Sequence, residues 1–227
     1  MNKKINHFKN KSYKTVLIKL LISIIGVAFV GFGIAFNAEA MLGNDPVAVL
    51  YDGVRSILGF SPDKLGMVTN FVNYTLMVIV FILGRKYINI GTFIYTIPMG
   101  TFVSLGSKIH ELVGIPDILV GRVFTSICGC SMLFLGIGIF IAINVGMDPC
   151  TGMVMILKDR IKREYKVAKV ICDLLTLIIG VSLGGKFGIV TVIVAFIAGP
   201  TIQKVSEVFD RMVIKKINLN DLIISNS

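Results

Sequence analysis

The sequence predicts an all-α polytopic membrane protein made of two tandem repeats, each with three transmembrane helices plus one short re-entrant or interfacial helix, the second repeat inverted relative to the first. Three observations carry this. Of 227 residues, 55% are hydrophobic and only 16% charged, with a mean hydropathy of +0.84, whereas about a quarter of a soluble domain is charged. The apolar residues gather into six runs, and six spans of about twenty residues need roughly 120 positions, which leaves no room for a large catalytic domain outside the bilayer. A Gly-x-Asp-Pro tetrapeptide also follows an apolar run twice, at 43–46 and at 146–149.

Residues 1–15 form a basic, cytoplasmic N-terminal segment. The first apolar run, 16–36, leads into Ala38-Glu39-Ala40, an A-x-A of the kind found at signal-peptide cleavage sites. The run exceeds the roughly 7–15 residues of a signal h-region and has a counterpart in the second half, so it reads as a retained helix. A short segment, 46–60, and apolar runs at 65–84 and 90–105 complete the first repeat, residues 16–108. A connecting loop, 109–117, leads to the second repeat, 118–205, with runs at 118–143, 167–184 and 189–202 and a short segment at 149–165. Residues 206–227 read as a cytoplasmic tail.

The duplication shows in ordered matches. Asp148 stands 103 positions after Asp45, LGRKY at 83–87 falls on LGGKF at 183–187, and Thr92, Gly100 and Asn73 fall on Thr191, Gly199 and Asp173. At each corner, Gly43 or Gly146 lets the chain turn, the Asp caps the next helix, and Pro46 or Pro149 occupies a first helical position whose N–H has no partner anyway. A broken helix repeated in two halves is also a way to expose backbone groups to a substrate. Three spans per unit invert the second copy, and four would leave it parallel. The distribution of Lys and Arg does not separate the two cases, but the short segments are short for a 30 Å core, which favours six spans.

Asp173 is the most informative candidate, a carboxylate some seven residues into an apolar run, where ionisation costs several kcal/mol unless it is paired or hydrated. With Asn73, Asn70, Thr69 and Thr176 it outlines a polar stripe, either a ligand site or ordinary helix–helix contacts. Asp45 and Asp148, at short-helix N-termini, offset the attraction of those ends for anions. They favour a cationic, zwitterionic or neutral ligand. Asn37, Glu39 and Asn144 stand near the ends of the first helices of the two units and reach toward a cavity mouth. The cluster Lys158, Arg160, Lys162, Arg163, Lys166 and Lys169 reads as an anchor for anionic headgroups. The net charge of +10 is thereby a matter of membrane orientation, not nucleic-acid binding. His110 reads as a solvated loop residue, and Cys128, Cys130, Cys150 and Cys172 as small hydrophobes that hold no metal. Gly180-x3-Gly184 is the nearest match to a helix-dimer motif, and it fits a homodimer or packing within one chain. No nucleotide-binding, serine-hydrolase or zinc-protease motif is present, so neither an enzyme nor a cofactor is expected.

The paired corners, the Gly-x-Gly before each (Gly31 and Gly33, Gly136 and Gly138) and Gly91-Thr92 resemble the bacterial YczE/YitT-type membrane proteins over residues 17–205. No Trp follows Pro46, Val190-Thr191 replaces a second Gly-Thr, and the soluble C-terminal domain of YitT-like members is lacking, which points to the YczE-like branch. The resemblance implies a bacterial inner-membrane protein with a role in transport, and supplies no substrate. The sequence therefore supports a secondary transporter or facilitator for a small molecule or ion, with its site at the repeat interface. The alternative is a non-transporting accessory or sensor subunit of another membrane system.

Overall fold

Backbone N–H and C=O groups in hydrocarbon have no water to bond, so apolar stretches of this length close their hydrogen bonds within themselves as helices. The computed structural model describes residues 13–214 and is helical throughout; the basic segment 1–12 and the chain beyond 214 lie outside the described residues. Eight α-helices follow in order: α1 (Tyr13–Ala40), α2 (Pro46–Ile57), α3 (Leu65–Gly84), α4 (Ile90–Val113), α5 (Leu119–Ile143), α6 (Pro149–Ile161), α7 (Tyr165–Ser182) and α8 (Ile189–Phe209). Short 3-10 turns at Pro62–Lys64 and Arg85–Tyr87 flank α3, and a π-helical turn, Asp210–Ile214, prolongs α8. Four stretches are long and apolar enough to cross a bilayer: Thr15–Ala40, Pro62–Tyr87, Leu119–Ile143 and Ile189–Ile214. The chain is a helical membrane protein.

Two local differences from the sequence reading stand out. Residues 109–113 belong to the last turns of α4, which stops only where Gly114 adopts a left-handed conformation (φ 65°). Residues 206–209 likewise continue α8 where a tail was expected.

Helix directions follow from the contacts. Gly26 of α1 lies against Gly136, Gly33 against Gly129 and Leu133, and Asn37 against Ser126, so α1 and α5 are antiparallel. Phe32 stacks edge-on against Phe102 and Phe36 against His110, which makes α1 and α4 parallel. Gly66 meets Ser104 while Asn70 meets Ile97, so α3 is antiparallel to α4. The short helices pack on the opposite half of the chain. In α2, Leu50 and Gly53 sit on Gly180 and Ser56 on Gly184 of the following loop; in α6, Gly152 sits on Val80 and Ile156 on Gly84. Each short helix runs parallel to its host.

The core is built on α1. Val27, Val30, Ile34 and Ala35 pack with Met99 and Val103 of α4 and Leu133, Phe134 and Phe140 of α5. Large apolar side chains such as Phe71, Ile82, Phe124 and Phe196 point outward, the arrangement a lipid surround requires. The two halves differ in one respect. α3 and α4 form a packed pair and α7 and α8 do not; a Cβ on Gly100 would meet Gly66 at 2.0 Å, while Gly199 has nothing within 4 Å.

Candidate functional site

Both short helices begin as the sequence dictates. At the first corner Gly43 turns the chain at φ 103°, Pro46 opens α2, and the Asp45 side chain accepts the Val47 N–H at 3.2 Å. At the second, Pro149 opens α6 and Asp148 accepts both the N–H (2.9 Å) and the hydroxyl (2.5 Å) of Thr151. The aspartates are not equivalent. Asp148 has both carboxylate oxygens engaged, whereas Oδ1 of Asp45 is fully covered and has no hydrogen-bond partner.

Each corner is seated on the start of the last helix of the other half. The Asn44 N–H donates to Thr191 Oγ1 at 3.1 Å, the Val190 N–H donates to the Leu42 carbonyl at 3.0 Å, and a Cβ on Gly43 would stand 2.5 Å from Thr191 Oγ1. Reciprocally, Thr92 Oγ1 donates to the Met147 carbonyl at 2.8 Å, and a Cβ on Gly146 would stand 1.7 Å from Asn89 Oδ1. Asn44 completes its corner by donating from Nδ2 to the Ile34 carbonyl at 2.9 Å.

Polar groups gather around these helix starts. Buried Tyr51 of α2 donates its hydroxyl to Asn73 Oδ1 of α3 at 3.0 Å, leaving Asn73 Nδ2 without a partner. Thr69 and Thr96 are equally buried, and their hydroxyls have no partner either. Asp173 pairs with Lys169 one turn before it on α7. Asp45 lies within electrostatic range of that pair, and Tyr51 and Tyr95 within range of both Asp45 and Asp148. Of the residues singled out in the sequence, Asp45 thus feels the charge of Asp173, and Tyr51, which bonds Asn73, that of both Asp45 and Asp148.

The others lie elsewhere. Asn70 accepts the Gly100 N–H at 2.7 Å and belongs to the α3–α4 contact. Asn144 ends α5 in a left-handed conformation and is exposed. Asn37 is buried between α1 and α5, accepting from Ser126 Oγ at 3.2 Å. Lys158, Arg160, Lys162 and Arg163 occupy the end of α6 and the turn after it. That end is tied to the turn after α3 by Asp159, whose carboxyl is held below its usual range by hydrogen bonds from Lys86 and Tyr87. Lys169 does not belong to the surface cluster in which its neighbours place it, because its ammonium faces Asp173. His110 is no free loop residue: its ring meets Phe36, with Nε2 3.3 Å from Thr125 Oγ1. Of Gly180 and Gly184, read as fitting a homodimer or packing within one chain, Gly180 is buried under α2 of the same chain while Gly184 touches only Ser56 and is exposed.

Glu39, read from the sequence as facing a cavity mouth, and several residues that sequence reasoning left aside line a cavity of about 250 Å³ at the end where α1 and α4 finish. Its wall includes Glu39, His110 and Lys186, together with two ion pairs, Asp52–Arg55 and Asp117–Arg122. Arg55 donates Nε to Asp52 Oδ1 at 2.9 Å, and the other Asp52 oxygen takes the Lys186 N–H at 2.9 Å. The Arg122 guanidinium holds the Asp117 carboxyl below its usual range. A small cavity shares Asp52, Leu65 and Lys186 with the larger one and extends to Asn37, Gly43 and Asn44 at the first corner. The signal available in the sequence was the charge itself, Asp52 and Arg55 in an otherwise apolar short helix. Among the described residues no three His, Cys, Asp or Glu side chains come together to hold a metal ion.

Residues 17–207 match the model of a family of unknown function, DUF6198. The chain belongs to this family. A relative in Haemophilus influenzae, described as an uncharacterized protein, is 22% identical over 191 residues, covering 84% of this chain and 83% of the relative. No solved structure matches. The match takes in both corners of this DUF6198 member, the host helices α3 and α7 and the charged cavity.

Proposed function

We propose that this DUF6198 member is a secondary transporter or facilitator for a small molecule or ion, with its site where the two short helices start. The observation that carries this reading is the Asp45 carboxylate. It sits at the N-terminus of a broken helix with one covered oxygen free of partners, and the Asn73 amide that Tyr51 bonds likewise keeps a buried Nδ2 without one. Buried polar atoms are normally satisfied, and unpartnered ones at a discontinuous helix are where transporters of this architecture hold substrate and coupling ions. The chain consists, in this reading, of two inverted repeats, α1–α4 and α5–α8, with six spans and α2 and α6 entering part-way. The antiparallel α1 and α5 and the reciprocal seating of the corners support it. Both termini are then cytoplasmic, in the inner membrane of a bacterium, and the likeness to YczE-like proteins rests on the corner motifs.

The test is thermal unfolding of the purified protein in detergent against amino acids, vitamins, polyamines, nucleobases and inorganic ions, in wild type, Asp45→Asn and Asp173→Asn. A ligand of the folded state raises apparent stability. A compound that stabilises wild type and neither variant, and that wild type alone carries into proteoliposomes, is the expected result. Equal uptake by all three proteins would overturn the reading.

A further inference from the structure

The large cavity has a charge pattern that the core site does not explain. Its wall holds three carboxylates, Glu39, Asp52 and Asp117, and three permanent cations, Arg55, Arg122 and Lys186. Four of these neutralise one another. Asp52 and Arg55 are paired with only 15% and 11% of their side chains exposed, and Arg122 grips Asp117 with Nε and Nη2 at 2.6 and 3.2 Å. Two charges are left over. The Glu39 carboxylate, on the last turn of α1, and the Lys186 ammonium, between α7 and α8, have no ion-pair partner among the described residues. They bring one negative and one positive charge to the same wall from opposite halves of the chain. Met41, Leu65 and Ile115 add apolar surface to the wall.

We infer that this cavity binds a small zwitterion, its ammonium against Glu39 and its carboxylate against Lys186, with the apolar wall taking a hydrocarbon side chain. A ligand with one charge would leave either Glu39 or Lys186 unanswered, and a neutral one both. The volume, about 250 Å³, lies below the ~300 Å³ at which pockets for drug-sized ligands begin, so the ligand is of amino-acid size. The bond from Asp52 to the Lys186 N–H fixes the backbone of the loop from which the exposed Lys186 side chain projects.

The experiment measures binding to the full chain in detergent micelles, by calorimetry and thermal shift, using L-leucine, leucinamide, which keeps only the ammonium, and 4-methylpentanoate, which keeps only the carboxylate. L-Leucine should bind at least about tenfold more tightly than either analogue, the worth of one charge-assisted contact. Glu39→Gln should abolish its advantage over 4-methylpentanoate, and Lys186→Met its advantage over leucinamide. The inference is overturned if neither leucine nor any other proteinogenic amino acid nor glycine betaine binds, if the half-charged analogues bind as well as leucine, or if both variants bind leucine like wild type. The cavity can bind whether or not the chain transports, so uptake that fails in proteoliposomes while binding persists counts against transport and not against this site.

Discussion

Arg55 shows how a single side chain is committed by its neighbours. It spends its guanidinium on Asp52 and on the Phe60 carbonyl at the end of α2. Removing one partner of such a covered pair strands the other, at a cost of about 3–5 kcal/mol, whereas replacing both by apolar groups is often close to neutral. Arg55→Met should therefore lower the apparent melting temperature of the detergent-solubilised protein strongly, and Asp52→Leu added to it should restore part of the loss, the remainder being the bond Asp52 accepts from the Lys186 N–H. A double variant no better than the single one would mean that the Phe60 carbonyl, not the ion pair, is what Arg55 serves. Tyr51→Phe leaves both polar ends of Asn73 unanswered and should cost about 1–3 kcal/mol; an unchanged melting curve would show that the amide finds another partner. At this scale the sequence was legible wherever a residue acts on its own neighbours. Asp45, Pro46, Asp148 and Pro149 cap and open helices within three positions. Lys169 was illegible in a list of basic residues, because what decides its role is the four-residue spacing to Asp173 on one helix face. His110 needed Phe36 and Thr125, which sequence distance hides.

Among elements, the corners govern how the helices assemble. Gly43 and Gly146 face atoms of the other half so closely that any side chain must push α8 or α4 away. Gly43→Ala and Gly146→Ala should each yield little folded protein, read as the monodisperse fraction in size-exclusion chromatography. Gly199→Ala should be neutral, since nothing stands within 4 Å of that position. Losses of equal size at all three glycines would show that contact across the corners does not set the outcome. The helices themselves were plain from hydropathy: apolar runs at 65–84 and 118–143 became α3 (Leu65–Gly84) and α5 (Leu119–Ile143) almost unchanged. The partners of α2 and α6 were not plain. A short helix carries no mark in its own sequence of which half it will pack against, and here each lies between helices of both, α2 against α7 and α3, and α6 against α3 and α7.

For the whole molecule, the six spans proposed above would place residues 61, 114 and 184 on one side of the membrane and residues 86 and 162 on the other. In a cysteine-free background, an impermeant thiol reagent applied to cells should label single cysteines at Ser61, Gly114 and Gly184, and label Lys86→Cys and Lys162→Cys only after permeabilisation. Eight spans would instead put residues 61 and 114 on the side of 162. The membrane class was readable from composition, because no soluble fold accommodates so few charges. Of the cavity only Glu39 was read as facing a mouth, since Arg55, His110, Arg122 and Lys186 come from four other stretches and meet only after the bundle is built.

The crossed seating of the corners also constrains the order of biosynthesis. The Asn44 N–H is answered by Thr191, 147 residues later in the chain, and at about 5–20 residues per second that partner leaves the ribosome on the order of 7–30 s afterwards. For that interval the first corner waits unfilled in the membrane, while the second finds Asn89 and Thr92 already made. A nascent chain stopped after α4 would thus carry an open socket that a second, separately synthesised half can enter. Co-expression of residues 1–117 and 118–227 as two chains is expected to yield a complex that co-purifies, with neither half stable alone.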